Sequence, residues 1–487
     1  MSEADTVVVV GGGIAGCACA LALAGRGVAV TLLEETDTLG GRFSSVKLPG
    51  IDRQIDNTQQ IVFRNHQRFL QLLATCEARQ VIRLQRQTRL PFLEVDNGRI
   101  SHIQSGNFPP PNHLATSILN ASFLGLGDKM AMQRAVKAFH AMDDQHLRSL
   151  DEETFLEWLQ ANGQTERAIN RFWNPLVRAT LNVDSSEASA SSATLLFRGG
   201  LFGEPDAFDV GSFTTDLSQA LAPNLRRTLA TAGVQVRLSS PVTGLYREGG
   251  TVTGVTTRDG FTPASTVILC TPISATARLL TGAGASVASH EVADRLANLG
   301  TTALLGIHAF HEGPVLPQGT PFVTCIEEPL IQMLFDRSTE LDDGQRTGLP
   351  GHWISVRVSH ADQYLDWDDE LILTEYERVI STAFPDAPAL IDFHVVRINR
   401  ATTSLKLGAQ RLRPNPLDAG EGVILGGDWI DIDWPTNLEG ASRAGLTAAA
   451  ALLEQRGNPD LRGWNQEKSW PDWPEAPRRG AEGWREW

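Results

Sequence analysis

Cysteine is scarce in this sequence. Five occur among 487 residues, Cys17, Cys19, Cys76, Cys270 and Cys325. None forms a CxxC pair or a spaced ligand set, which excludes a disulfide scaffold and a zinc module and predicts no metal site. All five read as reduced core thiols of a cytoplasmic protein. Basic residues are outnumbered, 42 Lys and Arg against 57 Asp and Glu, for a net charge of −15. That balance excludes a general nucleic-acid-binding role, and the surplus acid reads as a solvated surface. No basic segment followed by an apolar run opens the chain, so no secretory signal is expected. No apolar run approaches the roughly 20 residues needed to span a bilayer, which leaves peripheral contact as the form of membrane association open to it. The 42% hydrophobic and 20% charged shares are those of a globular chain long enough for two intertwined domains.

The chain begins with a strong local pattern. Thr6 to Val10 is a β-branched run that reads as a buried strand, and it leads directly into Gly11-Gly12-Gly13-Ile14-Ala15-Gly16. An Ala- and Leu-rich helix follows and stops near Gly25 to Gly27, and a second strand, Val28 to Leu33, ends at Glu34. Gly11, Gly13 and Gly16 satisfy GxGxxG in its confirming context: strand before, helix after, acid at the end of the next strand. The glycines let backbone approach a pyrophosphate. The helix start at Ile14 and Ala15 offers free N–H groups and partial positive charge to the phosphates. A carboxylate at Glu34 would accept ribose hydroxyls and repel a 2′-phosphate, which disfavours NADP.

Three features favour FAD over NAD. Leu39-Gly40-Gly41-Arg42 resembles the flavoprotein loop that closes over the cofactor after the second strand. The all-β stretch from Val234 to Leu269 resembles the meander that gives the adenine a backbone contact, here near Val242. Gly427-Asp428 follows a short strand, Val423 to Leu425, and precedes a helix from about Leu438 to Leu453. An aspartate so placed holds the ribityl or pyrophosphate region in such flavoproteins, and the helix start near Leu438 points at the ring. No second GxGxxG stands in proper context, since Gly282-Ala283-Gly284 follows no convincing strand. Electrons must therefore pass through the substrate or an external donor of unknown identity.

Elsewhere the chain is helical in its middle. Pro109-Pro110-Pro111 precedes an apolar stretch, Leu114 to Leu126, and Ser149-Leu150-Asp151-Glu152 reads as a capping box. Further strands are expected at Thr302 to Phe310 and Trp353 to Ser359. After Gly457, five tryptophans (464, 470, 473, 484, 487) sit among prolines and charges. They predict a poorly regular tail that either packs on the body through its indoles or meets a partner or membrane.

Asp56-Asn57-Thr58-Gln59-Gln60, Asn174-Pro175-Leu176 with Ala179-Thr180-Leu181-Asn182, and Gly427-Asp428-Trp429 with Trp434-Pro435-Thr436 and Glu439-Gly440-Ala441 carry a family resemblance. Over about residues 5 to 455 the chain resembles the amine oxidase and phytoene desaturase superfamily, and within it the squalene-associated hydroxysqualene dehydroxylases. The resemblance implies an α/β fold: a Rossmann-like FAD-binding domain (GR2-type) with an interleaved α+β substrate domain. The expected division is 1–57, 206–290 and 406–456 for FAD, 58–205 and 291–405 for substrate, and 457–487 as tail. It also implies reduction of hydroxysqualene to squalene by hydride from reduced flavin, an isoprenoid substrate, and a place in the cytoplasm or at the cytoplasmic membrane face. Leu114 to Leu126 then reads either as an access helix at the bilayer surface or as a core helix. The family usually has His where this chain has Gln60. Gln59 and Gln60 are the expected groups near flavin and substrate, with His66 as a substitute proton donor. Arg42 is expected to bind the cofactor, as are Gly427, Asp428 and Thr436, while Trp434 and Pro435 are expected to flank the ring. Three rivals remain. One is a carotenoid-type desaturase or isomerase. Another is an amine oxidase, which in this superfamily commonly needs a lysine near the flavin, whereas none occurs between Lys137 and Lys406. The third is an idle flavin-binding scaffold.

Overall fold

The computed structural model describes residues 6–458 and 469–487. Val7–Val10 is buried along its whole length and forms the centre of a five-stranded sheet. A strand covered on both faces cannot alternate polar and apolar residues, so an unbroken valine run suits it. Its neighbours are Val30–Leu33 on one side and Thr266–Leu269 on the other, with Gln235–Arg237 and Val423–Leu425 outermost, and every pairing is parallel. The helix Ile14–Ala24 fills the first crossover with small residues, Cys17, Ala18, Cys19 and Ala20, all inaccessible. Small side chains allow the C-terminal helix Leu438–Gln455 to lie directly against it. All five cysteines are buried and unpaired.

The stretch Val234 to Leu269 does not form one meander. Gln235–Arg237 and Thr266–Leu269 join the parallel sheet, and only Val242–Glu248, Thr251–Thr257 and Gly260–Pro263 form a separate antiparallel three-stranded unit. Strand propensity is local, but the choice of sheet depends on partners more than two hundred residues away.

A seven-stranded sheet forms the second layer. Its order is Leu390–Thr403, Thr301–His311, His352–Val358, Met333–Asp336, Phe322–Cys325, Arg89–Glu94 and Arg99–Gln104. Helices between residues 115 and 201 pack beside it around the buried rings of Phe139, Phe155, Trp158, Trp173 and Phe197. This is an α/β protein with a Rossmann-like domain and an interleaved substrate domain.

Two sequence expectations are corrected here. The capping box is Thr154 with Glu157, not Ser149 with Glu152: Ser149 ends the helix Asp144–Ser149 and donates its hydroxyl to the His146 carbonyl. Leu114 to Leu126 is not a single helix. It comprises a short turn, the six-residue helix Ala115–Asn120, an extended Ala121, and the start of the helix Leu126–Ala141. Leu114, Ile118, Phe123 and Leu124 enter the core, while Leu119 and Leu126 are 53% and 72% exposed. No helix among the described residues is long and apolar enough to cross a membrane.

Within the described part of the tail, Trp470 and Trp473 are buried in the core that also holds the first helix. Arg485–Glu486 adds a strand beside Ile82–Leu84, and the Trp487 indole donates to the Arg83 carbonyl. Trp464 lies outside the described residues.

Candidate active site

The carboxyl ends of the parallel strands open into a cavity of about 680 Å³ that runs between the two layers. At one end lies the first βα turn. Gly11 adopts φ +104°, and a Cβ on Gly16 would stand 1.9 Å from the Gly11 carbonyl oxygen, so helix and turn meet at a distance that glycine alone permits. Gly16 therefore sits behind the cavity wall as the packing glycine, while Gly11, Gly13, Ile14 and Ala15 line it. Gly13 caps the helix without any side-chain bond, and no acid occupies the first turn. The positive end of the helix therefore faces the cavity without a side-chain cap of its own.

Glu34 is 6% exposed. Its Oε2 accepts the Gly12 N–H at 2.6 Å, and its Oε1 accepts the Thr36 N–H and hydroxyl at 2.9 and 2.8 Å. The carboxylate is thus locked to the glycine turn and lines the cavity with Gly41, Arg42 and Val242. Arg42 pairs with Asp428 and donates to the Ala401 carbonyl. Gly427 packs under the Trp429 indole, where a Cβ would meet Nε1 at 2.1 Å. Asp428, Pro435, Thr436 and Leu438 complete this wall with Gly427.

One residue that sequence reasoning missed organises the loop. Arg413 is buried and donates to the carbonyls of Asp428, Ile430 and Trp434, each at 2.8 Å. Glu439 is a second. Fully buried at the start of the C-terminal helix, it accepts the N–H groups of Arg68 and Phe69 and the Arg443 guanidinium. It thereby caps the helix Gln67–Thr75, and Arg443 stacks 4.0 Å over the Trp434 ring. This explains the Trp-Pro-Thr-x-x-Glu-Gly-Ala segment as one structural unit. Nothing in a single sequence marks an arginine or a glutamate as an internal brace.

The candidate catalytic residues separate. Gln60 and His66 line the cavity; Gln59 does not. Gln59 is 1% exposed and turns its amide to Glu340 at 3.3 Å, away from the cavity, because Thr58 and Gln60 take the cavity side of the segment. Behind them lies a buried network. The Arg337 guanidinium bonds Asp56 and Glu340 at 2.9 Å each, and Asp56 also accepts the Leu217 N–H. Burial, opposed by Arg337, pushes Asp56 up to about 6 and Glu340 to about 7. Asn57 ties this segment to the cofactor loop by donating to the Arg42 carbonyl at 3.0 Å. His66 is held far down, to about 3, by burial first and by the Arg443 charge second. Burial thus favours the neutral imidazole, whose Nδ1 has no protein partner.

Several buried polar atoms of cavity-lining residues have no protein partner: Thr58 Oγ1, Asn65 Oδ1, His66 Nδ1, Trp434 Nε1 and Thr436 Oγ1. Native interiors rarely leave such atoms orphaned, so they mark the surface a bound molecule satisfies. The locked acid, the uncapped helix start, the glycine turn and the distal Arg42–Asp428 pair fit a two-ended dinucleotide lying across the strand ends.

The fold and this cradle define an FAD-binding flavoprotein of the Rossmann-like class. The chain belongs to the flavin containing amine oxidoreductase family, whose profile matches residues 14–453, and it is an FAD-dependent oxidoreductase. Among curated proteins it is similar to a hydroxysqualene dehydroxylase of Sinorhizobium fredii, 23% identical over 452 residues that cover 92% of this chain and 98% of that one. It is also similar to a zeta-carotene desaturase of Synechocystis, 22% identical with 92% and 97% covered. Among solved structures, an oxidoreductase from Methanosarcina mazei has the same fold, with a TM-score of 0.69 at 16% identity, covering 92% of this chain and all of the other.

Proposed function

We propose that this protein reductively removes the hydroxyl of an allylic isoprenoid alcohol of the hydroxysqualene type. The observation that carries the reading is the composition of the cavity beyond the FAD cradle. Ile61, Phe63, Ala179, Leu195, Leu196, Phe208, Leu304 and Ile398 line it, and no lysine does so among the described residues. Burying an apolar chain there gains about 25 cal/mol per Å² removed from water. Similarity to a dehydroxylase along nearly the whole of both chains supports the same reading.

The net change replaces C–O by C–H. It takes one hydride and one proton and releases water, and an allylic centre suits it because the carbon cation is delocalised. FAD, in its reduced form when bound, supplies the hydride, and a two-electron donor outside this chain restores it. The residues that would hold it are Gly11, Gly13, Ile14, Ala15, Glu34 and Gly41 at the ADP half. Val242 would stand at the adenine, and Arg42, Gly427, Asp428, Pro435, Thr436 and Leu438 would hold the other end. The chain's own part is to orient the substrate, exclude water and present Gln60 beside the reacting carbon.

The test is an anaerobic incubation of the photoreduced protein with hydroxysqualene, and of the oxidised protein with phytoene. Squalene formation with reoxidation of the flavin supports the reading. Desaturated phytoene with no squalene would replace it by the carotenoid alternative, and no response to either would leave the scaffold. In the same assay Gln60→Ala is expected to slow turnover by about tenfold or more while FAD content is unchanged. Equal turnover would remove Gln60 from the reaction.

Contact with a membrane surface belongs to the same reading. Leu126 and Met130, one helical turn apart, are 72% and 59% exposed, and Lys129 between them donates to the carbonyl of exposed Leu119. Leu126→Glu with Met130→Glu is expected to cut co-sedimentation with anionic lipid vesicles severalfold without altering FAD content. Unchanged sedimentation would rule out this surface.

A further inference from the structure

The substrate half of the cavity contains a cationic side chain that an apolar ligand does not explain. Arg357 lies on the strand His352–Val358, directly opposite Gly306 on one neighbouring strand. Gly306 has no side chain to cover it, because a Cβ there would run into the Asn57 carbonyl oxygen at 2.5 Å. Arg357 lines the cavity together with Leu304, Ile398 and Thr180. Its Nε is inaccessible and has no hydrogen-bond partner. Among the described residues no carboxylate pairs with it. Burial lowers its pKa to about 10 and no charged neighbour contributes, so it remains a cation at neutral pH. Arg42, in the cofactor part of the cavity, is by contrast neutralised by Asp428.

Arg357 keeps some exposure, but an arginine with its Nε inaccessible and no counter-charge is rare in a cavity wall, since even partial burial of an unpaired ion is unfavourable unless something satisfies it. A guanidinium also offers five donors and no acceptor, so what satisfies it must be an oxygen-type acceptor. We propose that Arg357 is the specificity-determining residue of the substrate cavity, and that the substrate carries an oxygen acceptor, hydroxyl or carboxylate, at the point this side chain reaches. A hydrocarbon would leave the cation unpaired. The inference rests on the isoprenoid reading only for the chain to which that oxygen is attached. For an allylic alcohol, the guanidinium would donate to the oxygen and stabilise the negative charge that grows on it as the C–O bond breaks.

The test is a titration of flavin-loaded wild type, Arg357→Met and Arg357→Lys with matched probes, followed by perturbation of the flavin spectrum. The probes are farnesene, farnesol and farnesoic acid, with dodecane, dodecanol and dodecanoic acid as unbranched counterparts. Wild type is expected to bind the oxygenated members about tenfold or more tightly than the hydrocarbon. Arg357→Met should abolish that preference while hydrocarbon binding is retained, and Arg357→Lys should keep part of it. The ratio of acid to alcohol binding separates an anionic from a neutral acceptor. An oxygen preference that survives in Arg357→Met, at unchanged FAD content and unfolding temperature, would overturn the proposal. So would its absence in wild type. Arg357-dependent preference among the unbranched probes, with no binding of the farnesyl series, would defeat the isoprenoid reading and leave this inference standing.

Discussion

Glu34→Arg is expected to yield a colourless protein. The wild-type carboxylate holds three donors, the Gly12 N–H and the N–H and hydroxyl of Thr36. An arginine has no acceptor with which to replace it. The buried Gly12 N–H loses its partner, the glycine turn loses its brace, and the ribose of the cofactor loses its acceptor. Hydrogen bonds to a charged group contribute about 1.5–3 kcal/mol each, so losing two weakens FAD binding by about a hundredfold or more. The measurement is the visible flavin absorbance per protein after purification, then after added FAD. Glu34→Gln keeps one acceptor and should fall between. A yellow Glu34→Arg protein with full occupancy would show that the ADP half is held some other way.

Arg337→Met is expected to destabilise the fold by about 3–5 kcal/mol, the usual result of removing one member of a buried ion pair. Arg337 and Asp56 are both about 1% exposed and Glu340 is 5% exposed. The guanidinium also lies over the Trp353 ring at 5.4 Å. With two carboxyls and one cation, the site favours a retained proton, which is why burial holds Asp56 near 6 and Glu340 near 7. Both values lie above those of an unfolded chain. The folded state therefore binds protons that the unfolded state releases. The contribution is fully present below the ordinary carboxylate range near pH 4, and it is lost as pH rises through about 6 to 7. Glu340→Gln mimics the protonated acid. It should change stability by less than about 1 kcal/mol and flatten this pH dependence. Thermal unfolding of the FAD-loaded proteins between pH 4 and 8 is the measurement, and equal loss in Arg337→Met and Glu340→Gln would refute the shared-proton arrangement.

The two predictions concern opposite sides of one segment. Asp56 anchors it to Arg337, Asn57 ties it to the Arg42 loop, and Thr58 and Gln60 face the cavity. The sequence motif was visible as five consecutive polar residues, but its division into an anchoring face and a cavity face was not. Gln59 illustrates the point: by type and position it matches Gln60, yet Glu340, 281 residues away, draws it to the other side.

The first 34 residues were readable almost completely, because every constraint in them is local. A valine run needs burial, a glycine turn needs its backbone freedom, and the acid at the second strand's end follows within one βαβ unit. The short strand Val423–Leu425, the Gly427-Asp428 turn and the following helix were equally legible as local patterns. Tertiary structure alone decided which strands share a sheet, since Thr266–Leu269 finds Val7–Val10 across more than 250 residues. It also decided that Leu114 to Leu126 breaks into pieces and that Arg413 and Glu439 brace the site from within. Arg357 could be found only there. An arginine on a strand reads as solvent-facing until the fold places a glycine opposite it and a cavity, with no acid in reach, at its tip. Local chemistry fixes turns and strands; the environment of a charge is set by residues that are near it only after folding.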